Sequence, residues 1–179
     1  MNRMTWSVVL SVVTMLAMAP VVTAKDDDDV RKMQRATAKA KVSLSEAIEI
    51  AQREVPGGKP IEVELEWRRG GPRIEVELLA GNLWKDVVID AVRGKVLAVV
   101  DDVVDDADDQ EELKRDQANW AAATRTFAEA LALAEKETEG GKAVEIELTA
   151  AAGKPIFKVE LLVGDKLIKR HVPATTENK

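Results

Sequence analysis

The sequence predicts an α+β protein of two tandem units, each a helix packed on an antiparallel β-meander, with four strands in the first unit and about three in the second. Three observations carry this. Glu62-Val63-Glu64-Leu65 returns as Glu145-Ile146-Glu147-Leu148, a shift of 145 − 62 = 83 residues. The same shift carries Gly57-Gly58-Lys59 onto Gly140-Gly141-Lys142, Pro72 onto Pro155, and Val76-Glu77-Leu78-Leu79 onto Val159-Glu160-Leu161-Leu162. Ungapped self-similarity of this kind marks two copies of one structural unit. Second, each copy opens with a capping box and an apolar spacing of three and four, the mark of one buried helical face. Third, after a Gly-Gly stop the apolar period switches to two, the mark of half-buried strands.

Residues 1–24 read as a secretory signal peptide. Arg3 gives a basic start, Trp6 to Ala19 is apolar but for Ser7, Ser11 and Thr14, and Val22-Thr23-Ala24 suits a signal peptidase. Cleavage is expected after Ala24, which places the mature chain in the periplasm or outside the cell. The membrane is involved only if that segment stays uncleaved. Residues 25–41 form a charged leader, opening on Asp26-Asp27-Asp28-Asp29 and turning basic from Arg31. Adjacent aspartates repel one another, so the leader is expected to be solvated, with helix only toward Ala36–Ala40.

The first unit spans 42–102. Ser43-Leu44-Ser45-Glu46 is its capping box, and Leu44, Ala47, Ile48, Ala51 and Val55 make the apolar stripe that Pro56-Gly57-Gly58 ends. Ile61, Val63, Leu65 and Trp67 alternate with Glu62, Glu64 and Glu66, and after a glycine turn Ile74, Val76 and Leu78 alternate with Glu75 and Glu77. A third strand over Leu83–Ile89 and a valine-rich fourth over Lys95–Val100 complete the meander. Residues 103–124 are an acidic connector, expected to be helical and to fold back through Leu113 and Trp120.

The second unit spans 125–173, followed by a tail at 174–179. Its capping box is Thr126-Phe127-Ala128-Glu129, and Phe127, Ala130, Leu131 and Ala134 repeat the helix stripe. No fourth strand has room, because Gly94 shifted by 83 falls at residue 177 of a 179-residue chain. Its third strand, Leu167–Val172, is therefore expected to be an edge unless the leader or connector covers it.

The helix, the double glycine, the hairpin and the run Val87-Val88-Ile89-Asp90-Ala91-Val92-Arg93-Gly94-Lys95-Val96-Leu97 together resemble the PepSY domain. The resemblance covers Val42 to Val100 in the first copy and Thr126 to about Val172 in the second, which lacks the Asp–Gly turn. Tandem units of this size are also similar to the beta-lactamase inhibitor protein fold. The resemblance implies a non-catalytic extracytoplasmic module that binds a partner protein or peptide in the envelope, modulating or inhibiting a peptidase.

The residues themselves point away from catalysis. The chain has no cysteine and no tyrosine, one histidine at His171, and after the signal only Ser43 and Ser45, both engaged at a helix start. No cofactor, metal or catalytic residue is expected, and a formal charge of −6 argues against nucleic acid. Two features suit binding. A hairpin closing symmetrically about Gly70-Gly71 sets Glu64 against Glu77 and Glu66 against Glu75, with Glu147 against Glu160 in the second copy. Like charges opposed across strands are destabilising. An acidic face of Glu62, Glu64, Glu75, Glu77, Glu145, Glu147 and Glu160 would receive a basic partner, or act as a cation- or polymer-binding sensor. The second feature is the expected edge near Lys169 and Arg170, open to strand addition.

Overall fold

The computed structural model describes residues 21–23 and 27–176. The expected signal peptide lies outside these residues except for Val21–Thr23. The chain runs β1 (Val21–Thr23), α1 (Asp27–Lys39), α2 (Leu44–Glu54), β2 (Lys59–Arg68), β3 (Gly71–Leu79), β4 (Trp84–Asp90) and β5 (Val96–Asp102). It continues through α3 (Ala107–Ala122), α4 (Phe127–Lys136), β6 (Lys142–Ala151), β7 (Lys154–Val163) and β8 (Lys166–Pro173). The strands form one antiparallel sheet in the order β1-β8-β7-β6-β2-β3-β4-β5.

The 83-residue shift holds down to single hydrogen bonds. The amides of Lys41 and Val42 both donate to the Ala91 carbonyl, at 2.8 and 3.0 Å. Those of Thr124 and Arg125 donate to Ala174, both at 2.9 Å. Ser43 and Glu46 close one capping box, Thr126 and Glu129 the other. Each helix then lays its apolar stripe on its own meander: Leu44, Ala47, Ile48 and Ala51 in α2, and Phe127, Ala130, Leu131 and Ala134 in α4. Phe127 meets Phe157 edge to face, with centroids 4.8 Å apart.

The two meanders fuse where their first strands pair. Val63 of β2 stands opposite Ile146 of β6, its own counterpart under the shift, so a local two-fold axis passes through that pair. One core results, running from Val63, Val76 and Val87 to Ile146, Val159 and Phe157, all fully buried on the helix side.

Two features differ from the sequence reading. The leader is not a solvated segment: α1 is helical from Asp27, and its Met33 and Ala36 are buried in the shared core. Val30, Met33, Ala36 and Ala40 form a three-four stripe that outweighs the acids, of which Asp28 and Asp29 are exposed in the first turn of the helix, where negative charge is favourable. Lys39 ends the helix 5.2 Å over the Trp67 ring. The edge beyond the second unit is also partly paired, since Val21–Thr23 runs antiparallel to Leu167–Lys169.

Candidate functional site

Strand alternation sends one set of side chains to the helices and the other to the sheet's outer face. There the register lays the acids in two rows across the strands. One row reads Asp86, Glu77, Glu62, Glu147, Lys158; the next reads Glu75, Glu64, Glu145, Glu160, Lys169. All seven glutamates of the expected acidic face thus come together over β2, β3, β6 and β7.

The opposed pairs differ from the sequence reading by one step. Glu62 faces Glu77, Glu64 faces Glu75, and Glu66 faces Arg73; in the second unit Glu145 faces Glu160 and Glu147 faces Lys158. The reason is the turn. Arg68 pairs with Gly71, so the hairpin closes about Arg69-Gly70 rather than Gly70-Gly71, and moving a turn by one residue moves the register by two. In the second unit Ala151 pairs with Lys154, and Ala152 and Gly153 both take positive φ, at 50° and 73°, as a tight two-residue hairpin turn demands.

The connector helix α3 lies over one end of this face. Its Leu113 is buried with Ile61, Leu79 and Trp84, three side chains that continue the outer-face rows past the acids. The Trp84 indole donates to Asp116 at 3.0 Å, and Gln117 donates to the Gly81 carbonyl at 3.3 Å. Lys59 stands 6.0 Å over the Trp120 ring. The acids nearest α3 are thereby removed from bulk water, which their sequence context does not reveal.

Burial has a direct electrostatic result. Glu77 is pushed up to about 8, first by burial and then by the charges of Glu62, Asp86, Asp116 and Asp102. Glu62 rises to about 7, again by burial first, then by Glu145, Glu147 and Glu64, with Lys158 opposing. Glu75, Asp86 and Asp116 are raised as well, each chiefly by burial.

The second unit meets the same problem with cations. The 83-residue shift carries Glu75 onto Lys158 and Asp86 onto Lys169. Lys158 bridges Glu147 and, at 3.4 Å, Glu145, and it holds its proton more tightly than usual because these contacts outweigh its own burial. Lys169 lies 3.5 Å from Glu160, whose side chain is fully buried. Arg170 points the other way. It donates to the Thr138 hydroxyl at 2.9 Å and the Glu137 carbonyl at 3.1 Å, fastening the end of α4.

Among the described residues, Asp105, Asp106 and Asp109 are the acids close enough to share a metal ion. Asp106 is already the N-cap of α3, accepting from the amides of Asp108 and Asp109 at 2.8 and 2.9 Å.

Residues 41–100, the whole first unit, match the model of the family described as Peptidase propeptide and YPEB domain, PepSY. The first unit is similar to a PepSY domain. The overall fold is similar to the crystal structure of a "putative lipoprotein" from Clostridium difficile 630, with a TM-score of 0.50 and 20% identity over 78% of this chain and 90% of that one. No curated protein matches the sequence. In the first unit, Asp90 shapes the turn between β4 and β5: its carboxylate accepts from the Val92 and Arg93 amides at 2.9 and 3.0 Å, which holds its pKa low. Pro173 follows where Asp90 stood, has no carboxylate, and ends β8.

Proposed function

We propose that this chain is a non-catalytic PepSY protein of the cell envelope that binds a partner protein through a basic segment, and that the partner is a secreted peptidase it modulates. The observation that carries this reading is the charge difference between equivalent positions. The second unit neutralises its outer-face acids with Lys158 and Lys169, while the PepSY unit has Glu75 and Asp86 there and holds Glu62 and Glu77 at raised pKa. Lysines or arginines of a partner would complete the first unit as these lysines complete the second, and opposite charge across an interface favours both encounter and register. The family description, which names peptidase propeptides, supports the peptidase. The N-terminal pattern of residues 1–24 and a fold neighbour described as a "putative lipoprotein" support the envelope. Among the described residues no helix is long and apolar enough to cross a membrane.

The test is capture of secreted peptidases from an envelope extract, and inhibition of their activity, by the wild type and by Glu64→Lys/Glu75→Lys. That pair lies beyond the end of the face that α3 covers. Capture that weakens at least tenfold in the variant supports the proposal, and equal capture by both proteins sinks it.

The raised pKa values favour a second reading, in which the face senses a divalent cation or a cationic polymer. Binding would then release protons from Glu62 and Glu77. Titration with calcium or polylysine in two buffers of different ionisation enthalpy reads that release, and its absence removes this reading.

A further inference from the structure

The apolar outlier of the molecule is β5. Every large hydrophobic side chain that stands exposed among the described residues lies in it or just after it: Leu97 at 45%, Val99 at 44%, Val100 at 50% and Val103 at 66%. The strand is the terminal member of the sheet, paired to β4 on one side only. Its outer edge therefore presents a row of main-chain donors and acceptors beside five consecutive apolar residues, Val96 to Val100. Natural edges are blunted by charges, prolines or covering elements. The opposite edge follows that rule, with Lys169, Arg170 and His171 in the strand. Along Val96–Val100 the β5 edge has a single device, the irregularity opposite Val88–Ile89 that puts Leu97 outside the regular ladder, and its charges, Asp101 and Asp102, come only at the end of the strand.

Charge selects the occupant. Arg93 and Lys95 precede the strand, Asp101 and Asp102 end it, and Asp105 and Asp106 follow it. A second copy running antiparallel brings the basic start of each strand to the acidic end of the other and lays the Val96–Val100 runs side by side. A parallel copy would set aspartate against aspartate, and an antiparallel pair is the arrangement a two-fold axis generates.

We infer that β5 is a homodimerisation edge: two copies of this chain pair their β5 strands antiparallel, so that the sheet continues from one protomer into the other. This uses a different part of the molecule from the acidic face, so it stands or falls separately from the proposed function.

Sedimentation equilibrium of the purified chain over a concentration series tests it, with Val100→Lys and Lys95→Glu as variants and circular dichroism to check folding. Val100 is half exposed and Lys95 is exposed, so both variants should fold. The expected result is a wild-type dimer that Val100→Lys reduces to monomer. Lys95→Glu should weaken the dimer by about fivefold at low salt, with the loss shrinking at about 0.5 M salt as screening removes the charge contribution. Lys95→Glu/Asp102→Lys, which exchanges the two signs, should recover the affinity. A wild type that stays monomeric at every concentration, whatever other strand β5 then takes, overturns the inference. So does a dimer that Val100→Lys leaves intact.

Discussion

The outer faces of the two units are the same construction with opposite electrostatic outcomes. Both present a glutamate pair on the first strand of the meander, and both set a glutamate of the second strand across from one of them: Glu62 against Glu77, Glu145 against Glu160. In the second unit Glu160 is wholly buried yet has an ammonium beside it. In the first, Glu77 is less buried and has Asp86 as its neighbour on β4. The two carboxylates therefore differ in the sign of the residue that faces them from the next strand, lysine in the second unit and aspartate in the first.

The largest effect should come from removing the cation where burial is complete. Lys169→Met leaves Glu160 buried without its ammonium and should cost about 3 kcal/mol in urea unfolding at pH 7. A loss below about 1 kcal/mol would mean that the lysine is incidental and the contrast between the units is only one of composition.

Next is the pH profile. Glu62 and Glu77 have folded-state pKa values of about 7 and 8, above the ordinary 4.5. Between pH 4.5 and 8 the folded protein holds protons that the unfolded chain has released, so stability falls as pH rises through that window. Glu46 and Glu129 act in the opposite sense. Their pKa values are lowered by the capping hydrogen bonds from Ser43 and Thr126, and their contribution is lost as pH falls below about 4.5. Stability should thus peak near pH 5. Glu62→Gln/Glu77→Gln should flatten the decline, matching the wild type near pH 5 and exceeding it at pH 8 by about 2 kcal/mol after allowance for partial exposure. Thermal melts across that range read the slope, and an unchanged slope contradicts the assignment.

A smaller change tests the comparison in reverse. Asp86→Lys gives the first unit the cation of the second and should stabilise it by about 1 kcal/mol at pH 8 and by less at pH 5, where Glu77 is neutral. Smallest is the hairpin: Ala152→Gly should gain about 0.5 kcal/mol, because alanine at φ 50° is strained where glycine is not. Urea midpoints resolve both.

Much of this fold can be read from residue patterns. The capping boxes, the glycine stops and the switch from three-four spacing to alternation are local signals, and each element they mark is present. The duplication supplied the fusion of the two sheets only indirectly, since nothing in Glu62–Leu65 says that it pairs with its own copy. The candidate site was legible as a set of residues but not as an environment. Which glutamates oppose each other depended on whether the turn closes at Arg69 or Gly70. Their burial depended on α3, whose Leu113 and Asp116 are remote in sequence from Trp84. The apolar edge was not legible for a related reason: Lys95–Val100 reads as a valine-rich fourth strand, and only the sheet order makes it terminal.

The local two-fold through Val63 and Ile146 has one more consequence. Two separate, identical units meeting on that axis would be bound to carry the same charges on both sides, so any lysine placed beside one glutamate would appear beside both. Covalent linkage breaks that obligation. Once the units share a chain, one half is free to place lysines beside its outer-face acids while the other keeps Glu75 and Asp86 at the matching positions.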